Sequence, residues 1–343
     1  MELTARQQAI LRYVIEEYIR TGRAIGSKAL LERVPLGVSS ATIRNEMMVL
    51  EEAGLLQQPH TSAGRVPTEA GFRYYVEHLL DVPDLPPAIQ IMVSHQFRQV
   101  EREIASWLKL AAAVLANTSQ NLGLATPPHS PVERVRHFEL LSLRRQLALL
   151  VLVTQTSAIH QSLLELAEPI DQAALSALSE QLNPEIQFLD RTAVERKMVG
   201  ATPLAAQVLR RIVEALQAIE QEHARELYAE GLEYVVRQPE VSQSEVASAL
   251  LELLRSGVLA ASLLERLEFN RAVQVLIGSD LPLDELRPFS IVLSPYWVGG
   301  DVRGVIGVLG PQRMPYDRSI AAVRYLADVL SRLMQMVYAE EDE

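Results

Sequence analysis

Along residues 4–21, apolar positions return with a helical period, and Ile10, Leu11, Val14 and Tyr18 share one face. Thr4 is placed to cap this helix and Gly22 to stop it. A shorter helix follows, with Ser27 as its cap and Ala29, Leu30 and Leu31 inside it. The run Val34-Pro35-Leu36-Gly37-Val38 is rich in breakers and reads as a turn. Ser39 or Ser40 then caps a third helix over Ala41–Ala53, which Gly54 ends. Leu55–Gln58 is strand-like, residues 59–65 are polar, Val66 resumes the apolar pattern, and Thr68 opens a helix over Glu69–Leu80. The proline-rich stretch 81–87 (DVPDLPP) reads as a linker.

Beyond it the pattern predicts one long helix over Ile89–Thr118. Val93, Phe97, Val100, Ile104, Trp107, Ala111 and Val114 step alternately by four and three. That spacing fits first an amphipathic helix lying on a sheet, and second a seam that pairs with its own copy in a dimer. Asn121–Pro131 is a loop by composition. Strand-like runs follow at Arg134–Leu141, Leu147–Thr154 and Ala158–Leu164, the second apolar throughout and therefore expected at the centre of a sheet. Helical patterns fill Asp171 to about Leu267, broken near Leu232–Val236 and at Pro239. Three more strand-like runs, Ala272–Ile277, Phe289–Ser294 and Val302–Leu309, lead to a final amphipathic helix over Tyr316–Tyr338. Strands on both sides of a helical block suggest one α+β domain interrupted by an insertion over residues 196–262.

Charge changes the picture. The net charge is −11, which argues against a polyanionic partner until its distribution is considered. Residues 1–80 hold nine basic and nine acidic side chains, so all of the excess lies in the remainder. A neutral head is free to present a local basic face where an acidic body is not. No cysteine is present, which excludes a disulfide, a cysteine-ligated zinc and a thiol nucleophile. The N-terminus lacks the features of a secretory signal, and the longest apolar run, Leu147–Val153, is too short for a membrane helix. The cytoplasm is the expected compartment, with no membrane partner.

Helix, short helix, turn, helix is the order of a helix-turn-helix. On the third helix Ile43, Met47 and Leu50 form the side to be buried, leaving Thr42, Arg44, Asn45 and Met48 outward. An arginine reads guanine with two bonds and an asparagine reads adenine in the same way, each discriminating by about 1–3 kcal/mol. Ser39 and Ser40 stand at the helix N-terminus, where hydroxyls and free N–H groups suit a DNA phosphate. Residues 57–66 fit a wing, with His60, Thr61, Ser62, Gly64 and Arg65 in its loop. An arginine at a loop tip suits the narrow minor groove.

Other chemistry finds little support. The glycines at 299, 300, 304, 307 and 310 do not open a helix and lack a following Gly-Lys-Ser/Thr, so a Gly-Gly hairpin turn is the reading rather than a phosphate loop. His137-Phe138-Glu139 cannot be a deaminase site without cysteine. The seven histidines show no HExxH, and no G-x-S-x-G elbow exists, so neither a metal site nor a catalytic residue is expected, and no cofactor. Tyr296 and Trp297 either pack or line a ligand pocket.

The stretch Ser39–Leu56 (SSATIRNEMMVLEEAGLL), continued by Gln58–Leu80 (QPHTSAGRVPTEAGFRYYVEHLL), resembles the signature of HrcA, the heat-inducible transcription repressor family of bacteria. Ser294–Pro315 (SPYWVGGDVRGVIGVLGPQRMP) resembles the family's C-terminal motif. The resemblance implies a multidomain α+β protein. Its parts would be a winged-helix DNA-binding domain over 1–80, a linker and long helix over 81–120, a GAF-like domain over 121–195 plus 263–343, and a mainly helical inserted dimerisation domain over 196–262. It also implies a homodimer on double-stranded DNA at the inverted repeat called CIRCE, repression of chaperone operons, and a GroEL-type chaperonin that keeps the repressor active. Two rivals stand beside this reading: a ligand-sensing winged-helix regulator with a metabolite in the GAF-like domain, and an enzyme with an accessory DNA module.

Overall fold

The computed structural model describes residues 3–33, 38–59, 64–101, 103–128, 132–223, 226–242, 244–268, 271–299 and 302–339. In chain order the head comprises α1 (Ala5–Thr21), α2 (Ser27–Arg33), α3 (Ser40–Glu52), β1 (Leu56–Gln57), β2 (Val66–Pro67) and α4 (Glu69–Tyr74), which runs on into a π turn at Tyr75–Leu79. Then come α5 (Pro87–Gln99), α6 (Ile104–Ser119), β3 (Leu122–Ala125), β4 (Val135–Arg144), β5 (Leu147–Thr154) and β6 (Ile159–Glu165). They are followed by α7 (Gln172–Ile186), α8 (Arg191–Lys197), α9 (Pro203–His223), β7 (Tyr228–Glu230), α10 (Leu232–Val236), α11 (Ser244–Ser256) and α12 (Val258–Arg266). The chain closes with β8 (Gln274–Ile277), β9 (Phe289–Gly299), β10 (Val302–Pro311) and α13 (Tyr316–Ala339).

The chain divides into two compact units. The first contains residues 1–126, 227–296 and 305–343. It joins the head to a five-stranded sheet of order β7-β3-β10-β9-β8. One apolar layer, with Leu122, Leu124, Phe289, Ile291, Leu293 and Leu309 from the sheet, packs against Val235, Leu250, Leu259 and Leu263 of α10, α11 and α12. Helix α6 lies so close to β3 that a Cβ on Gly123 would fall 2.0 Å from the Ala112 carbonyl oxygen. Only glycine permits that approach.

The expected long helix is two helices. Backbone at Val100 and Glu103 is extended, and α6 restarts after Glu103. Val93, Phe97, Trp107, Ala111 and Val114 are all buried within this chain, so the seam is spent internally rather than left for a copy. Part of the expected loop 121–131 is β3, an inner strand, and residues 232–236 are helical rather than a break.

The second unit contains residues 127–226 and 297–304. Strands β4, β5 and β6 form a three-stranded antiparallel meander with β5 at its centre. This corrects the expectation that all six strand-like runs share one domain. Periodicity identifies a strand but not its sheet. The break also falls elsewhere than expected: α10, α11 and α12, within the span 196–262, pack on the first unit's sheet, while β4 to β6 and α7 lie outside that span. One face of the meander, with Phe138, Leu140, Ala148, Leu150, Leu152 and Leu164, is buried under α7, α8 and α9. On the other face Leu141, Leu149 and Leu163 make one row and His137, Val153 and Ile159 another. There Ile159 is 66% and Leu163 53% exposed.

Candidate nucleic-acid interface

The head is built around α3. Ser39 caps it, its hydroxyl accepting from the Thr42 N–H at 3.2 Å and lying 3.0 Å from the Thr42 hydroxyl. Ile43, Met47 and Leu50 are fully buried against the other helices. Helix α1 supplies the opposing layer through Ile10, Leu11, Val14 and Ile15. It is held by a Thr4–Gln7 capping box and stopped at Gly22, whose φ of +65° suits glycine. Gln7 and Arg6 of α1 both bond Glu46, fixing the rotation of α3 about its axis.

That rotation places Arg44, Asn45 and Met48 outward, Met48 at 44% exposure, with Thr42 half-buried beside them. No hydrogen bond or ion pair engages the side chains of Arg44 and Asn45 among the described residues. Ser40 is half-buried, its hydroxyl 3.1 Å from that of Ser27, so it ties α2 to α3. The first N–H groups of a helix have no acceptor within it, so the α3 N-terminus offers donors and a partial positive charge to an anion.

The wing is present as β1 and β2, paired antiparallel with Leu56 opposite Pro67 and Gln57 opposite Val66. Ile25, between α1 and α2, adds a bridge to Arg65, exchanging backbone bonds of 2.9 Å each way. His60, Thr61 and Ser62 lie outside the described residues.

Arg65 departs from expectation. Its side chain turns inward to Glu51 of α3, with Nε at 2.9 Å and Nη2 at 2.8 Å from one carboxylate oxygen, and is only 12% exposed. It is a brace between the wing and α3, not a finger at the tip. Gly64 also serves the interior: a Cβ there would fall 2.4 Å from the Ile25 carbonyl group. The sequence does not mark Glu51 and Ile25 as partners of Arg65, because nothing local signals a contact made across 14 or 40 residues.

Elsewhere the set-aside residues have structural partners. Tyr296 is fully buried and its hydroxyl donates to the Thr126 carbonyl at 2.6 Å, which is packing and not pocket lining. The Arg303 guanidinium lies 5.6 Å from the Trp297 ring centre. His137 pairs with Glu139 at 2.8 Å on the open strand face. Among the described residues no three His, Asp or Glu side chains are grouped to hold a metal, and no single helix is long and apolar enough to cross a membrane.

Comparison with known proteins is decisive at this point. Residues 2–77 match the family described as "Winged helix-turn-helix transcription repressor, HrcA DNA-binding", and residues 105–320 match "HrcA protein C terminal domain". A heat-inducible transcription repressor HrcA from Thermomicrobium roseum is 60% identical over 97% of this chain and 96% of its own. The chain belongs to the HrcA family. Relatives of the same name from Herpetosiphon aurantiacus and Roseiflexus castenholzii are 41% and 40% identical over 99% and 100% of this chain and 98% and 97% of theirs. A crystal structure titled only as a hypothetical protein shares the fold, with a TM-score of 0.61 at 22% identity over 98% of this chain and 99% of that one. The HrcA match over the head coincides with α1 to the π turn, and the family is one of repressors, not enzymes.

Proposed function

We propose that this HrcA-family chain is a heat-inducible repressor that binds a CIRCE-type inverted repeat as a homodimer and so silences chaperone operons. The observation that carries the reading is the outward set on α3, Arg44, Asn45 and Met48, presented at a capped helix N-terminus beside a wing. Arg44 and Asn45 serve as base readers, Ser39, Ser40 and Thr42 line the phosphate approach, and Met48 meets an apolar base edge. His60, Thr61 and Ser62 belong to the wing loop that would follow the neighbouring groove, with Gly64 and Arg65 holding its root.

A single winged helix covers one half-site, and two heads related by a dyad read a palindrome. The open face of the β4–β6 meander, with Leu141, Leu149, Val151, Val153, Ile159 and Leu163, supports dimerisation through the second unit. Like faces of exposed aliphatic side chains bury one another favourably. The GAF-like character of the five-stranded unit and modulation by a GroEL-type chaperonin are carried over from the family resemblance. A repressor of this kind acts in the cytoplasm, where its operator lies.

The test is a titration on the intact repeat, one half-site and a scrambled duplex at fixed near-physiological salt, for wild type, Arg44→Ala and Asn45→Ala. Wild type is expected to prefer the intact repeat. Each variant should lose about 5- to 150-fold on the repeat, the equivalent of about 1–3 kcal/mol, with little change on scrambled DNA. Equal losses on specific and scrambled duplex would make Arg44 a phosphate contact. Equal weak binding of wild type to all three, with and without added chaperonin, would sink the operator assignment.

A further inference from the structure

The proline-rich segment 81–87 invites the picture of a head swinging on a tether, yet the head is fastened to the five-stranded unit in three places. On α4, Glu69 and Arg73 stand one helical turn apart on a common face. Arg73 grips Asp280 as a fork, Nη2 to one carboxylate oxygen at 2.7 Å and Nε to the other at 3.2 Å. Asp280 is itself oriented by the Ile277 N–H at 3.2 Å. Glu69 accepts from the Ser279 N–H at 3.1 Å and from the Gln312 amide at 3.2 Å.

Gly278 lies beneath Glu69. Its φ is +53°, and a Cβ there would fall 2.2 Å from a Glu69 carboxylate oxygen, so the place of a side chain is taken by the clasp. At the far end of the head, Arg313 pairs with Glu240 and reaches the Ile19 carbonyl at the C-terminal turn of α1. Between these points Tyr18 and Phe72 of the head continue into Tyr316 of α13, with ring centres 6.2 and 6.1 Å apart.

We propose that the Glu69–Arg73 clasp on Ser279 and Asp280 makes operator spacing part of recognition. These are positioning residues: they touch no base, but they hold α3 at a set angle to the unit that carries it. Inserting one base pair between half-sites rotates one of them by about 34° about the helix axis and moves it by about 3.4 Å. A fastened head resists that rotation relative to the five-stranded unit more than a head whose clasp is removed. The proposal rests on the dimeric repressor reading above.

The experiment measures affinity of the full-length protein for a half-site and for inverted repeats whose spacer is altered by one to three base pairs. Wild type is expected to lose at least about 10-fold on a one-base-pair change. Glu69→Ala/Arg73→Ala should match wild type on the half-site, which shows the head is folded. Its loss across the altered spacers should be at least about 3-fold smaller than that of wild type, the Arg313 and Tyr316 contacts still restraining the head in part. The charge exchange Arg73→Asp/Asp280→Arg should restore most of the sharp spacing preference that Arg73→Asp alone removes. A double variant that binds the half-site normally yet follows the wild-type spacing profile would overturn the clasp alone. Wild type with no preference for the repeat over the half-site would overturn the dimer reading and the spacing role together.

Discussion

Arg65 distinguishes two accounts of the wing, and its removal separates them. Two guanidinium nitrogens lie within 3 Å of one Glu51 oxygen, and the pair is 12% and 34% exposed. At an effective dielectric constant of about 20, unit charges about 4 Å apart attract by about 4 kcal/mol. Desolvation of the arginine, ordering of two long side chains and screening at the one-third-exposed carboxylate offset more than half of this. A net contribution of about 1–2 kcal/mol remains. Urea unfolding of wild type, Arg65→Ala, Glu51→Ala and the double variant should therefore give a coupling energy near 1 kcal/mol. In parallel, the slope of log Kobs against log salt for DNA should be unchanged in Arg65→Ala, because no phosphate contact is lost. Loss of one such contact would lower that slope by about 0.9. A coupling below about 0.3 kcal/mol together with a slope reduced by about one would refute the brace and return Arg65 to the DNA.

Gly123→Ala forces a methyl group to within 2.0 Å of the Ala112 carbonyl oxygen and 3.0 Å of the Ala116 nitrogen, both in α6 backbone. Helix α6 must retreat by about 1 Å or more, so stability should fall by about 3 kcal/mol, and a loss under 1 kcal/mol in urea unfolding would contradict the packing described. Glu220 has a pKa raised by burial first, with Glu133 and Asp190 adding to the shift while the Glu133 N–H and Arg191 oppose it. A raised carboxylate pKa means the fold favours the protonated form, so the charged form costs stability once pH exceeds the unfolded value. Glu220→Gln keeps an acceptor for the Glu133 N–H and should be at least as stable as wild type at pH 7, with its advantage shrinking by pH 4. Thermal melts at both pH values check this, and a variant less stable than wild type at pH 7 counts against it.

The head was legible because its signals are local. Thr4, Gly22, Ser39 and Gly54 mark helix ends by side-chain chemistry or positive φ, and Ile43, Met47 and Leu50 repeat within two turns. The body was legible only as a series of elements. Nothing in Val135–Arg144 says that it pairs with its neighbours in a separate sheet rather than with Phe289–Gly299, because both are strand-forming runs rich in apolar residues and such a run does not name its partner. The break at residues 100–103 carries no glycine or proline, and the seam continues in phase across it. β3 was hidden by its glycine, which lowers strand propensity while serving the approach of α6. Within the candidate site, Arg44 and Asn45 followed from helical phase alone, whereas the inward turn of Arg65 depends on Glu51, a partner set by tertiary structure.

The phase of α3 also separates two inheritances. Ile43, Met47, Leu50, Glu46 and Glu51 hold the head together, while Arg44, Asn45 and Met48 support no part of it. Substitutions at the outward three are therefore nearly free of folding cost, so on the proposed reading of these residues as the DNA-facing set, sequence preference can drift, or be rewritten by a small library, on an unchanged scaffold. On that reading, lineages descended from one such repressor acquire different operators without passing through an unstable ancestor.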